Sequence, residues 1–268
     1  MGLLDGKNGL VVGVANKKSI AWGIAQALHA NGARLAFSSL ETNIRRVRKL
    51  APQVNSDLII GCDVQRDEDI ARMAEWLKDV FEGKLDILVH SIAYADLNDL
   101  GGEFLETSRA GWRLALDISA YSLVALARAV RPLMNKAGGG SIITLTFGDY
   151  KVVPGYNIMG VAKAALEVAM RYIAYDLGPE NIRVNAIKAG PIPTLSAMAI
   201  ENFDIALGTI EECSPLLRNV TLEDVGNTAV YLASDLSSAA TGTAIHVDSG
   251  MNIMSPGAKA HRKLEDIS

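Results

Sequence analysis

A tyrosine and a lysine with six residues between them, Tyr156 and Lys163, carry the most specific chemistry in this sequence. At about 100° per residue, seven steps along a helix turn through about 700°, so both side chains leave nearly the same face, two turns apart. A phenol can donate a hydrogen bond to an oxygen on which negative charge develops, as happens when a double bond conjugated to a carbonyl is reduced. A nearby ammonium stabilises the same charge and can grip the hydroxyls of a ribose. The alternative is a surface tyrosine and a solvated lysine, common on any helix. Position favours the chemical reading, because the pair follows the end of the fifth strand of an alternating series.

A second constellation lies near the N-terminus, where Gly13-Val14-Ala15-Asn16-Lys17-Lys18-Ser19-Ile20-Ala21-Trp22-Gly23 joins a strand to a helix. A pyrophosphate needs close backbone approach together with the free N–H groups and positive dipole of a helix start. Gly13 and Ala15 supply the clearance. Ser19 suits an N-cap and is equally able to turn its hydroxyl to a phosphate oxygen. Gly23 is expected to let the helix pack closely on the sheet. A plain capped turn is the alternative, since the pattern is not G-x-G-x-x-G. The second strand closes on Phe37-Ser38-Ser39-Leu40-Glu41, with no Arg or Lys directly there for a 2′-phosphate, which favours NADH over NADPH. Asp63, after the third strand, either accepts from an adenine amino group or caps the next helix. His90 closes the fourth strand and reads as a structural residue rather than a base.

The elements that must position these groups follow from hydrophobic patterning. Strands are expected at 9–14, 34–38, 58–62, 86–90, 141–146, 183–187 and 244–247, and helices at 20–30, 42–50, 67–81, 112–134, 160–177 and 224–232. Strands alternating with longer helices imply right-handed crossovers and a parallel sheet. Uninterrupted apolar strands such as LVVGV and DILVH mean that both sheet faces are covered. The expected fold is one doubly wound α/β domain of the Rossmann type over residues 1–268, about seven parallel strands with helices on both faces. Ligands in such a fold sit beyond the carboxyl ends of the strands, where the winding reverses.

Composition removes other classes. The 268 residues are 49% hydrophobic and 21% charged, with 26 Lys and Arg against 30 Asp and Glu, a net charge of −4 that argues against nucleic acid. Cys62 and Cys213, the two cysteines, cannot build a disulfide framework or a four-thiolate zinc site, and no metal is expected. No apolar run reaches the ~20 residues of a bilayer span. The opening MGLLDGKNGL has neither a basic leader nor an apolar core, so a cytoplasmic enzyme is expected.

Six segments, GVANKKSIAWGIA (13–25), CDV (62–64), VHSIAYA (89–95), YNIMGVAKAALE (156–167), RVNAIKAGPIPTLS (183–196) and VTLEDVGNTAVYLASDLS (220–237), resemble bacterial enoyl-acyl-carrier-protein reductases. These are a divergent branch of the short-chain dehydrogenases/reductases. The likeness runs from Gly6 to about Ile253, and its most specific signs are G-x5-S-I-A-x-G and Y-x6-K. Short-chain enzymes that reduce carbonyls carry Y-x3-K instead, and Gly160 occupies the fourth position after Tyr156. A sensor that binds NAD(H) without turnover is a third reading, disfavoured because Tyr156 and Lys163 are both present.

The resemblance implies NADH-dependent reduction of a trans-2-enoyl thioester in type II fatty-acid synthesis, with acyl carrier protein as partner and a homotetrameric assembly. It assigns Gly13, Ala15, Ser19, Ile20, Asp63, Val64 and Ile92 to the cofactor, Lys163 to the nicotinamide ribose, and Ile192, Thr194 and Ser196 to the carboxamide and pyrophosphate. Ala95 and Met159 would border the acyl chain, and Tyr156 would stabilise the enolate.

Three departures from the family pattern stand out. The family usually has a second tyrosine ten positions before the first; here the segment is one residue shorter and Phe147 stands on the substrate side in its place, with Tyr150 the nearest other phenol. Leu40 replaces a frequent glutamine, so the adenine ribose must be recognised differently. The often basic helix after the substrate loop reads Ala199-Ile200-Glu201-Asn202-Phe203-Asp204, which leaves carrier docking to other cations such as Arg218. Finally, the proline-interrupted, apolar stretch around 191–210 reads as a lid over the acyl chain. The alanine-rich faces of 112–134 and 160–177 suit packing between subunits or within one chain.

Overall fold

The computed structural model describes residues 2–148, 151–195, 197–199 and 203–255. Seven strands, β1 (Asn8–Val12), β2 (Arg34–Ser39), β3 (Ile59–Gly61), β4 (Ile87–His90), β5 (Gly140–Thr146), β6 (Ile182–Ala189) and β7 (Ala244–Val247), form one parallel sheet in the order β3-β2-β1-β4-β5-β6-β7. Eight α-helices accompany them: α1 (Ile20–Ala30), α2 (Glu41–Leu50), α3 (Asp67–Val80), α4 (Arg109–Leu116), α5 (Ser122–Ala137), α6 (Asn157–Leu177), α7 (Phe203–Cys213) and α8 (Leu222–Ala233). This is the doubly wound Rossmann-type architecture, and its winding reverses between β1 and β4.

The unbroken apolar strands are explained by two cores. Val11, Val89, Ile143 and Ile187 meet α1 and α8 on one face, beside Trp22, Ile24 and Leu28. Their neighbours Leu10, Leu88, Ile142 and Ala186 point the other way, onto α3, α5 and α6, beside Met73, Leu126 and Leu166. Because successive side chains alternate, a strand covered on both sides must be apolar at every position. Two exceptions are hydrogen-bonded: Asn185 within β6 donates to the Ala240 carbonyl, and Thr144 within β5 pairs with His90.

Helix α1 crosses α8 closely enough that a Cβ on Gly23 would lie 2.7 Å from the Leu222 Cβ. The small residue at 23 therefore serves a helix–helix contact, not the helix–sheet contact that the sequence suggested. Helix α8 begins with a reciprocal capping box between Thr221 and Asp224. Helix α5 ends at Gly138, whose φ of +88° is the left-handed turn that glycine adopts without strain.

The long helix expected at 112–134 is broken. Helix α4 gives way to one π turn, Asp117–Tyr121, before α5 begins, and the Ser122 N–H reaches back five residues to the Asp117 carbonyl. Two serines mark the fault: the Ser122 hydroxyl donates locally to the Ile118 carbonyl at 2.6 Å, and Ser119 turns to the distant loop at Tyr94. Helix α6 starts three residues earlier than periodicity implied, with Tyr156 at its N-cap position.

Candidate active site

Two strand exits meet at the reversal of winding. Gly13, just past β1, has φ +102°, and a Cβ there would lie 2.0 Å from the Ser91 carbonyl oxygen just past β4. The glycine is thus required by the strand beside it before any ligand is considered. The following turn is organised by Ser19, whose hydroxyl oxygen accepts from the Ala15 N–H at 3.1 Å and the Asn16 N–H at 2.9 Å. Ser19 occupies the N-cap position of α1 but makes no side-chain cap bond into the helix. The Ile20 and Ala21 N–H groups consequently face the loop without a described backbone acceptor.

Along the same rim, Asp63 sits in the turn before α3. Its carboxylate accepts from the Gln65 N–H at 3.1 Å, while its own N–H donates to Asp69 at 3.0 Å. It caps this turn and not the helix, whose N-cap is Arg66. Val64 and Ile92 are half-buried against the α3–α5–α6 core. Ile192 is buried in the opposite core, and the Thr194 hydroxyl accepts from the Ala197 N–H at 3.1 Å. Ser196 and Tyr150 lie outside the described residues.

Tyr156 and Lys163 converge on the exit of β5. The Lys163 ammonium, on a side chain only 6% exposed, donates to the Leu145 carbonyl at 2.7 Å. The Phe147 ring, two residues further along, meets the Tyr156 ring edge to face with centroids 5.3 Å apart. Burial pulls the Lys163 ammonium down to about 8 and pushes the Tyr156 phenol above its ordinary value, so the phenol keeps its proton as a donor. Met159 and Ala95 are both buried in one small apolar cluster with Ala115, Ile158 and Ala162, and Tyr156 packs against it. The structure therefore joins the expected phenol, ammonium and apolar wall in one place.

His90 is the satisfied structural histidine that its position implied. Its Nδ1 lies 2.8 Å from the Thr144 hydroxyl and its Nε2 2.8 Å from the Ser122 hydroxyl. Because Ser122 donates its proton to Ile118, it accepts from Nε2–H, and Nδ1 accepts from Thr144. Burial first, and then the charge of Lys163, pull the imidazole down to about 3.

One expectation needs correction. Arg218 is not a spare cation: its guanidinium donates two hydrogen bonds to Asp224, at 2.7 and 2.9 Å. On α5 and α6, Ala125, Ala127, Ala162 and Ala174 are buried within the chain, and the outward face of α6 carries Val168, Tyr172 and Tyr175. Sequence reading missed Ser119, which is fully buried beside the site. Its signal was a pair of serines, 119 and 122, three apart inside the expected helix 112–134. A separate cavity of about 130 Å³ lies at the amino ends of the strands, between Lys7, Asp86, Gly139 and Arg183. Lys7 pairs with Asp86 there at 3.2 Å, and Arg183 with Ser237 at 2.7 Å.

Residues 13–252 match the model of the family described as enoyl-(acyl carrier protein) reductase. An enoyl-[acyl-carrier-protein] reductase [NADH] of Aquifex aeolicus is 48% identical over 95% of this chain and 94% of its own length. Its counterpart in Escherichia coli is 46% identical over 94% of this chain and 97% of its own. Among solved structures, the Bacillus cereus reductase with NADP+ and indole naphthyridinone superposes with a TM-score of 0.92 at 49% identity, covering 95% of this chain and 100% of that one. The Anaplasma phagocytophilum reductase in complex with NAD gives a TM-score of 0.91 at 45% identity, covering 97% and 98%.

Proposed function

The chain belongs to the enoyl-(acyl carrier protein) reductase family, and on that premise we propose how its residues carry out NADH-dependent reduction of the trans-2 double bond of an enoyl thioester. The observation that carries the assignment is the convergence of Tyr156 and Lys163 on the exit of β5.

The turn after β1 fits a dinucleotide. Ser19 has already accepted two loop amides and keeps its own proton to donate, while the Ile20 and Ala21 N–H groups stand at the positive end of α1. That set suits a pyrophosphate, with Gly13 and Ala15 admitting it closely. Asp63, with Val64 and Ile92 beside it, takes the adenine side. Ile192 and Thr194 would border the carboxamide and pyrophosphate; the same role is proposed for Ser196, which lies outside the described residues. Lys163 retains two N–H donors beyond its bond to Leu145, and we assign them to the nicotinamide ribose.

When bound, the reduced nicotinamide supplies a hydride to the β-carbon of the acyl group. The Tyr156 phenol donates to the thioester oxygen, on which negative charge accumulates, and so stabilises the enolate until the α-carbon is protonated. Burial keeps the phenol protonated for this task. Ala95, Met159 and Phe147 form the apolar wall along the acyl chain and exclude water from the charged oxygen.

The segment around 191–210 serves as the lid. Leu195, Met198 and Ile205 leave apolar surface exposed that an acyl chain would cover. The substrate arrives on acyl carrier protein. The whole of 1–268 acts as one reductase domain in the cytoplasm, and the exposed Tyr172 and Tyr175 of α6 offer a face for homotetramer assembly. The test is equilibrium NADH binding to Lys163→Ala and Tyr156→Phe. Lost affinity in the first and retained affinity in the second support this division of roles; retained affinity in both removes the ribose role of Lys163.

A further inference from the structure

The segment leaving β4 runs from Ser91 to Asp96 without regular structure, yet it forms one wall of the site. Among the described residues, the hydrogen bonds that fix the backbone from Ile92 to Ala95 come from one side chain. The Ser119 hydroxyl accepts from the Tyr94 N–H at 2.9 Å and donates to the Tyr94 carbonyl at 3.0 Å. One hydroxyl thereby closes on both polar groups of a single residue and holds its backbone in one conformation. The same oxygen lies 3.8 Å from the Met159 sulfur, three residues after Tyr156.

Ser119 is therefore the joint between two walls. On one side stands the Tyr94–Ala95 strip; on the other, the first turn of α6 with Met159 and its neighbour Tyr156. Ala95 and Met159 belong to the same apolar cluster, against which Tyr156 packs. Ser119 is fully buried and sits in the middle of the π turn Asp117–Tyr121, where the helix departs from regular spacing. Such single-turn insertions accompany functional sites more often than chance allows.

We propose that Ser119 is a positioning residue for the acyl side of the reaction: it sets the separation between the Tyr94–Ala95 strip and Met159, and with it the alignment of the enoyl group on the Tyr156 phenol. This rests on the reading of the site given above. Among the described residues, the hydrogen bonds of Ser119 go to Tyr94 and toward Met159, and none goes to the turn after β1 or to Lys163. Loss of Ser119 should spare the dinucleotide and act on the thioester.

The test compares the full-length protein with Ser119→Ala, which removes both bonds, and with Ser119→Thr and Ser119→Cys, which restore a donor to different degrees. Four quantities are read: the NADH dissociation constant, kcat and KM for an enoyl thioester, amide exchange over 91–96, and the melting temperature. For Ser119→Ala the expected result is faster exchange confined to 92–95 and a kcat/KM lowered by roughly 10- to 100-fold. NADH affinity should stay within about twofold, and the hydroxyl-bearing Thr variant should recover more activity than Cys. Unchanged kcat/KM despite a loosened loop overturns the proposal. So does a loss of activity that runs in parallel with NADH affinity and melting temperature, which marks a merely structural serine. A wild-type protein inert toward enoyl thioesters is seen before any variant is made, and it overturns the functional reading along with this one.

Discussion

The Phe147 ring stands edge to face against Tyr156, centroids 5.3 Å apart and planes inclined by 78°. Phe147 thus packs directly on the phenol proposed above as the donor to the enolate. Aromatic pairs of this geometry contribute about 0.5–1.5 kcal/mol beyond the area they bury. Phe147→Leu should lower kcat about tenfold through a loosened phenol, with NADH affinity unchanged. Phe147→Tyr should retain activity. Steady-state kinetics with both variants check this.

Tyr156→Phe removes one donor to the developing enolate and leaves the edge-to-face contact in place. Turnover should fall by about 10²–10³, the range seen when one oxyanion donor is lost. Equilibrium binding of NADH should be unaffected, which fluorescence titration will show.

Lys163 gives the activity a basic limb. Burial pulls its ammonium down to about 8, so kcat/KM for NADH should decline as pH rises through about 8, where the charge is lost. The stability sign is opposite. The unfolded lysine binds a proton up to its model value of 10.5 while the folded one releases it near 8, so stability rises with pH across that window. Lys163→Met should abolish both effects, measured by a kcat/KM profile and by denaturant unfolding at several pH values.

His90 makes the fold acid-labile. The unfolded imidazole takes a proton below its model value of 6.5, but the buried one stays neutral down to about 3. The contribution of His90 to stability should therefore be constant above pH 6.5 and fall steadily below it. The carboxylates held low by their partners, Glu180 against Arg131 and Asp224 against Arg218, lose their contribution only below their ordinary range near 4. Urea midpoints between pH 6.5 and 5 isolate the histidine, and His90→Gln should flatten that stretch of the curve.

Closure of the segment around 191–210 is read by hydrogen exchange. Its amides should gain protection when NADH and an acyl ligand are both present, and less with NADH alone. Equal protection in all states would leave it a fixed surface segment.

Much of this was legible in the residues. Uninterrupted apolar strands such as Ile87-Leu88-Val89 betrayed a sheet buried on both faces, and the Y-x6-K spacing put a phenol and an ammonium together at the exit of β5. What escaped was set by contacts distant in sequence. Gly23 looked like a sheet contact because nothing local reveals Leu222 opposite it. Arg218 pairs with Asp224 six residues on, a partner brought to it only by the bend of the chain into the first turn of α8. The π turn was hidden because Ser119 bonds to Tyr94, twenty-five positions away. Alanines on α5 and α6 read alike whether they face a partner or their own core, and only the fold shows that Ala125, Ala127, Ala162 and Ala174 are buried within the chain.

Tyr156 is the single phenol proposed to let this protein reduce a conjugated carbon–carbon bond. That role is read from the reduced-nicotinamide absorbance with a trans-2-enoyl thioester and, separately, with a 3-oxoacyl thioester, for the wild type and Tyr156→Phe. The expected outcome is one NADH consumed per enoyl group by the wild type, a loss of about 10²–10³ in the variant, and no NADH oxidation with the 3-oxo compound. NADH oxidation with the 3-oxoacyl thioester alone, or undiminished enoyl reduction by Tyr156→Phe, would overturn it.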